Sequence, residues 1–202
     1  MSKRNPKSLS QSIAGAGSST PTRARAAASS KRPVFIFVGG FILLLGLFYA
    51  LTFIPYMNRK ALPALQALNA RASAIILNIF GEGASAHDTS IVSPRDSVSI
   101  AHGCDAIEPI GLFLAAVLAF PTSLRSKIPG LILGTAMLMI MNLVRIVSLF
   151  YTRVYWPSAF DTMHIDVWQP AFIVFSLLFW ITWALWATRP AARPLPADSA
   201  AA

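Results

Sequence analysis

The sequence predicts an all-α polytopic membrane protein with about four transmembrane helices, a short extracytoplasmic amphipathic helix and a β-hairpin. Three observations predict it. First, 55% of the 202 residues are hydrophobic and only 12% are charged, about half the charged share of a soluble domain. Second, the apolar residues gather in runs long enough to cross a bilayer. Third, the basic residues, which leave a net charge of +9, are spread unevenly over the segments that join those runs. The same apolar content argues against nucleic acid as the partner of the positive charge. One cysteine cannot form an internal disulfide, so a thiol outside the cytoplasm would be free and open to reaction.

Residues 1–32 are rich in Ser, Ala, Lys and Arg without apolar periodicity, which predicts a disordered basic cytoplasmic tail. The run PVFIFVGGFILLLGLFYALTFIPY, 33–56, is long enough for a first span. It is too long for a signal-peptide core and ends without a small-residue cleavage site, so it reads as an anchor. ALPALQALNARASAIILNIF, 61–80, places Leu62, Leu65, Leu68, Ile75, Ile76 and Ile79 at helical spacing, but Gln66, Asn69 and Arg71 interrupt it. This pattern predicts a helix lying on the membrane surface, with a crossing as the alternative. TSIV, the turn SPRD and SVSIA predict a hairpin leading into Cys104. Three more spans are expected at about 106–121, 129–151 and 168–188, and 189–202 reads as a second disordered cytoplasmic tail. No internal repeat or Gly-rich phosphate loop occurs.

With the first tail in the cytoplasm, the segments 1–32, 121–128 and 189–202 hold 11 of the 17 basic residues. Seven of the eight acidic residues fall on the other side or at its boundary. The positive-inside rule then favours four spans with both ends cytoplasmic. If 61–80 crossed as well, Arg125 and Lys127 would face outward.

This threading brings three polar residues to one membrane face. Cys104 precedes the second span, Arg145 lies in the outer third of the third, and His164 lies just before the fourth. Asp105 followed by Glu108 ahead of an apolar run predicts a helix start with Asp105 as N-cap. A thiol beside a helix N-terminus feels the positive end of the dipole, although two carboxylates oppose that effect. The bland reading of Cys104 is a small apolar filler. Arg145 within a span costs roughly 3 kcal/mol on insertion scales and could snorkel to the interface. Yet Asn142, Arg145, Ser148 and Thr152 recur at spacings of three and four, forming one polar stripe suited to a bundle interior. Inward, the guanidinium offers several fixed donors to a thiolate or oxyanion. His164 is the candidate proton carrier, with Asp161 three residues earlier to orient it if the stretch is helical. His102, two residues before Cys104, competes as the base or is merely a solvated edge residue, and His87 in a polar loop looks bland. A metal site from His102, Cys104 and His164 lacks tight ligand spacing. A thiol, a base and a cationic donor are the parts required for acyl transfer through a thioester.

VSIAHGCDAIEPIGLFLAAVLAFP, NLVRIVSLFY and MHIDVWQPAFIVFSLLFW resemble the exosortase/archaeosortase family, closest to exosortase H. The resemblance covers about residues 88–186, and NLVRI is its strongest single match. It implies a membrane-embedded cysteine transpeptidase or protease of the inner membrane, with its active site facing the periplasm. Such enzymes process exported proteins bearing a C-terminal sorting signal, made of a short motif, a transmembrane helix and a basic cluster. It further implies Cys104 as nucleophile, Arg145 as charge stabiliser and His164 as proton-transfer group, with no cofactor or metal. Asn142, Asp161 and His102 are the supporting candidates. The family usually follows the Cys with a small or polar residue and then Gly, whereas here Asp105 and Ala106 follow it.

Two other function classes stand beside this one. A non-catalytic membrane scaffold or assembly subunit would need no reactive thiol. A transporter would need midplane charges or paired broken helices, and the spans carry neither. Substrate motif, acceptor and oligomeric state are left open by the sequence.

Overall fold

A computed structural model describes residues 31–100 and 103–189. The two predicted tails lie outside the described residues except at their inner edges, and His102 lies outside them too. Among the described residues there are five α-helices: α1 Arg32–Thr52, α2 Leu62–Ile79, α3 Ile107–Ala119, α4 Leu124–Tyr155 and α5 Gln169–Ala187. Wide π-helical turns, Met57–Ala61 and Thr162–Trp168, lead into α2 and α5. Proline in the first turn of α1, α2 and α5 fits where no intrahelical N–H is lost.

Three helical stretches, Arg32–Thr52, Leu124–Tyr155 and Pro157–Ala187, are long and apolar enough to cross a membrane. The predicted second span is shorter than expected. At about 1.5 Å per residue, the 13 residues of α3 cover about 20 Å, short of a hydrocarbon core of roughly 30 Å. Its companion α4, with 32 residues and a length of about 48 Å, exceeds the core by about 18 Å. Helix α3 therefore starts well below the level that α4 reaches.

Helices α1, α4 and α5 all pack on α3. Rings of Phe37, Phe120, Trp180 and Trp183 interlock where α1 begins, α3 turns into α4 and α5 ends. Those three chain segments thus share one end of the bundle. Close approach there depends on Gly130 and Gly134 of α4, because a Cβ would meet Trp183 at 2.2 Å and Phe113 at 2.0 Å. Phe113, Val117, Leu138 and Phe172 form the bundle core.

The opposite end carries α2 and a small sheet. Strands β1 Ser85–His87, β2 Ser90–Val92 and β3 Ser97–Ser99 pair antiparallel in the order β1-β2-β3. The predicted hairpin is β2–β3, with Val92 opposite Ser97 and the turn tied by Ser93 N donating to Asp96 O at 3.0 Å. Strand β1 is an addition: His87, expected in a loop, pairs with Ser90 across a turn in which Asp88 takes φ 50. Asn78 at the end of α2 grips the sheet, donating to Ala84 O at 2.8 Å and accepting from Ala84 N at 2.6 Å. Ala70, Ala74 and Leu77 of α2, Ile91 and Ile100 of the sheet region, and Ile146 and Phe150 of α4 form a second core.

Helix α2 corrects one expectation. As a helix lying on the membrane surface, it was expected to turn its apolar residues to lipid and its polar residues to water. Instead Gln66, Asn69 and Ser73 are buried, while Leu68, Ile75 and Ile79 are exposed. A helix touching lipid gains nothing by hiding leucine from it, so polarity turns inward to find partners.

Candidate active site

The loop entering α3 has a sharply constrained backbone. Ile100 N extends the sheet by donating to Thr89 O at 2.8 Å. Gly103 then takes φ 88 and Ala106 takes φ 62, both left-handed, so the chain reverses around Cys104 and Asp105. Left-handed backbone costs an L-residue roughly 1–2 kcal/mol. Position 106 is the one where a glycine was expected from the family pattern, and its backbone explains that preference. Ala106 is the residue preceding α3, not Asp105 as predicted. The Asp105 carboxylate still supplies the cap chemistry, because its Oδ1 accepts from Ile107 N at 3.2 Å.

Cys104 is half-buried against the second core. Its Sγ lies 2.9 Å from His164 Nε2. The π-helical turn Thr162–Trp168 carries His164 to this point, and such widened turns recur where a side chain must be re-aimed. The His164 ring rests on Phe160, with centroids 5.8 Å apart. Asp161 is exposed, and no hydrogen bond joins it to His164. The widened turn removes the i, i+3 alignment that would have paired them.

Arg145 is 2% exposed, the largest fully buried side chain. Its guanidinium lies over the Phe172 ring, with Cζ 5.4 Å from the centroid. Nε and Nη2 have no hydrogen-bond partner. The predicted stripe on α4 does face inward: Asn142, Arg145 and Thr152 are buried and Ser148 half-buried. Ser148 and Thr152 bond back to their own helix, to Arg145 O at 2.8 Å and Ser148 O at 2.9 Å. Asn142, wholly buried, has neither amide atom paired.

Arg145 lines a cavity of about 250 Å³ together with Gly103, Asp105, Glu108, Gln169 and Phe172. Tyr49 of α1 closes another wall. An apolar groove of about 260 Å³ shares Leu112 and Ile173 with this cavity and continues between α1 and α5 down to Phe37 and Trp180. The stacked Phe37 and Trp180 rings, 5.9 Å apart, seal its far end.

Burial pushes the Cys104 thiol above its ordinary pKa; the Arg145 charge draws it back, and Asp105 raises it further. At neutral pH the resting sulfur is therefore a thiol, and a base must take its proton. His164 is the group in reach.

Two residues of this site escaped the sequence reading. Gln66 Nε2 donates to Asp105 Oδ2 at 3.1 Å, and Asn69 Nδ2 reaches Asp105 O at 3.5 Å. The signal was present, since Gln66, Asn69 and Ser73 recur at helical spacing. It was read as a wet face because nothing in the spacing shows which side faces protein.

The model of the transmembrane exosortase family matches residues 35–184 of the chain. Among curated proteins and among solved structures, nothing matches it. The family match takes in both cores, the Cys104 loop, the buried Arg145 and the helix that carries His164. The chain belongs to the transmembrane exosortase family, and is thereby a membrane sorting enzyme of a family of membrane cysteine proteases.

Proposed function

We propose that the protein cleaves the C-terminal sorting signals of exported proteins through a thioester on Cys104, as a peptidase or transpeptidase. One observation carries this reading. A thiol touches an imidazole at 2.9 Å within the field of a buried arginine with two unused donor nitrogens.

His164 Nε2 takes the Cys104 proton as sulfur attacks the scissile carbonyl carbon. The carbonyl oxygen gains the electron pair and draws on the free donors of Arg145. The C–N bond then breaks, the leaving amine takes the proton from His164, and the thioester remains. Attack by an acceptor amine or by water, again through His164, releases the acyl group. Of the supporting candidates, Asn142 continues the polar stripe one turn below Arg145.

The substrate's terminal helix lies in the apolar groove between α1 and α5, which shares Leu112 and Ile173 with the Arg145 cavity. The basic residues Arg32, Arg125, Lys127 and Arg189 sit at the sealed end, and most of the acidic residues at the Cys104 end. By the positive-inside rule the site then faces the periplasm in an inner-membrane setting. The short α3 sets the sulfur below the outermost turns of α4, within reach of a peptide bond at the membrane rim.

The test is chemical trapping with a candidate tail-anchored substrate. A hydroxylamine-labile adduct that maps to Cys104 is the expected result. Cys104→Ala should insert normally and leave the substrate whole. Normal processing by that variant would refute the role of the sulfur.

A further inference from the structure

The reacting groups of the proposed mechanism come from the Cys104 loop, α4 and the segment before α5. None comes from α2, yet α2 turns buried polar side chains toward the loop. Gln66 is 7% exposed and Asp105 is 2% exposed, so their 3.1 Å hydrogen bond is shielded from water. The other Asp105 oxygen accepts from Ile107 N. Asn69 adds a long contact to the Asp105 carbonyl. Side chain and backbone of the residue next to the sulfur are therefore both held from one face of α2.

Asp105 and Cys104 share one cation. Arg145 acts electrostatically on both, and it lines one cavity together with Asp105. Whatever the carboxylate draws of that charge is lost to the sulfur. An amide donor on Oδ2 and a backbone N–H on Oδ1 fix the carboxylate in place and spread its charge.

We propose that Gln66 is a positioning residue for the nucleophile: by donating to Asp105 it keeps the guanidinium of Arg145 shared with the Cys104 sulfur. This rests on the reading of Cys104 as the reacting thiol. Among the described residues, the groups that act on the sulfur are Arg145 from α4, His164 from the π-helical turn and Asp105 from its own loop. Glu108 opens α3 on the same cavity, and Asp161 precedes His164. The α2 side chains bonded to Asp105, Gln66 and Asn69, are neutral amides, so Gln66 acts through Asp105 and not by a charge of its own.

Cys104 is the one cysteine of the chain, so alkylation reports on it alone. The full-length protein in liposomes is reacted with iodoacetamide, an uncharged probe, across a pH series, and adducts are counted by mass spectrometry. The midpoint belongs to the Cys104–His164 pair as a unit. Gln66→Met keeps shape and removes the donor. It should move the midpoint to higher pH by roughly half a unit or more. Asp105→Asn should move it to lower pH, and adding Gln66→Met to Asp105→Asn should move it no further. If Gln66→Met does not fold, Gln66→Asn, which withdraws the amide by one methylene, should give the same alkaline displacement.

Three results would overturn the proposal: a midpoint identical to wild type, a rate scaled equally at every pH, or the same displacement with and without the Asp105 charge. The assay uses no substrate. Intact processing by Cys104→Ala would refute the enzyme reading and leave the alkylation result standing, so the two failures are distinguishable.

Discussion

Helices α2 and α4 both bury a polar face, and the two faces do different work. On α2 the buried groups are neutral amides and a hydroxyl, and Gln66 spends its donor on Asp105. On α4 the buried groups include Asn142, whose amide is unpaired, and a cation with two donor nitrogens unspent. A buried donor left unpaired costs on the order of 1–3 kcal/mol, and more for a charged group. A fold that pairs the Gln66 donor and leaves the guanidinium open has kept unpaired the group that a developing anion could use. The comparison separates the holding of a loop from the holding of a charge, and substitutions can test each part.

The largest effect is expected on the α4 side. Arg145→Lys keeps the positive charge but replaces a planar fork with a point charge on a flexible stem. It should lower kcat/KM for signal cleavage by roughly 10²–10³, with the protein still inserted. Near-normal cleavage would mean that charge alone suffices and that donor geometry is irrelevant. Of comparable size is His164→Ala. Removing a positioned base typically costs about 10²–10⁴ in rate. Because burial holds the Cys104 thiol above its ordinary pKa, that variant should regain rate as pH rises into the alkaline range. A flat profile would show that His164 does not handle the sulfur's proton.

The loop held by α2 should give smaller effects, read as stability. Ala106 is left-handed and buried, at φ 62 and 1% exposed. A β-branched side chain is poorly tolerated there, so Ala106→Val should lower Tm by several degrees. Ala106→Gly relieves roughly 1 kcal/mol of backbone strain but gives up a buried methyl worth about 0.8 kcal/mol. Its Tm should stay close to wild type. Equal behaviour of Val and Gly would mean that the loop does not hold this conformation.

How much of this was legible in the sequence follows the same division. The stripe on α4 could be read because a charge inside an apolar run has one economical direction to point, inward. NLVRI and the Cys, Arg, His order carried the family, and threading across the bilayer carried the residues to one end. The face of α2 could not be read, because amides are tolerated by water and protein alike and the apolar residues on its other side fit either lipid or core. Capping logic named the right side chain, Asp105, and missed the backbone by one residue. A left-handed alanine leaves no mark in spacing. The Asp161–His164 pairing failed for a related reason: residue counting assumes an α-turn, and the chain there is wound wider.

The smallest effect joins the two sides, because Cys104 lies between them. Its pKa is raised in the folded state, chiefly by burial, so folding favours the neutral thiol. The stability this contributes is complete below the ordinary thiol value of about 8.5. It is lost as pH rises through the folded value, because the unfolded chain gives up its proton first. Wild type and Cys104→Ser should therefore melt with a constant difference at pH 6–8, since neither residue titrates there. Above that range the wild-type Tm should fall faster, by roughly a degree or two. The difference cancels every other alkaline titration in the molecule, including those of the tyrosines. Parallel curves up to pH 10 would mean that Arg145 fully offsets burial at the sulfur. The sulfur would then ionise like an ordinary thiol, at about 8.5 and still mostly protonated at neutral pH, and burial would add nothing to the work asked of His164.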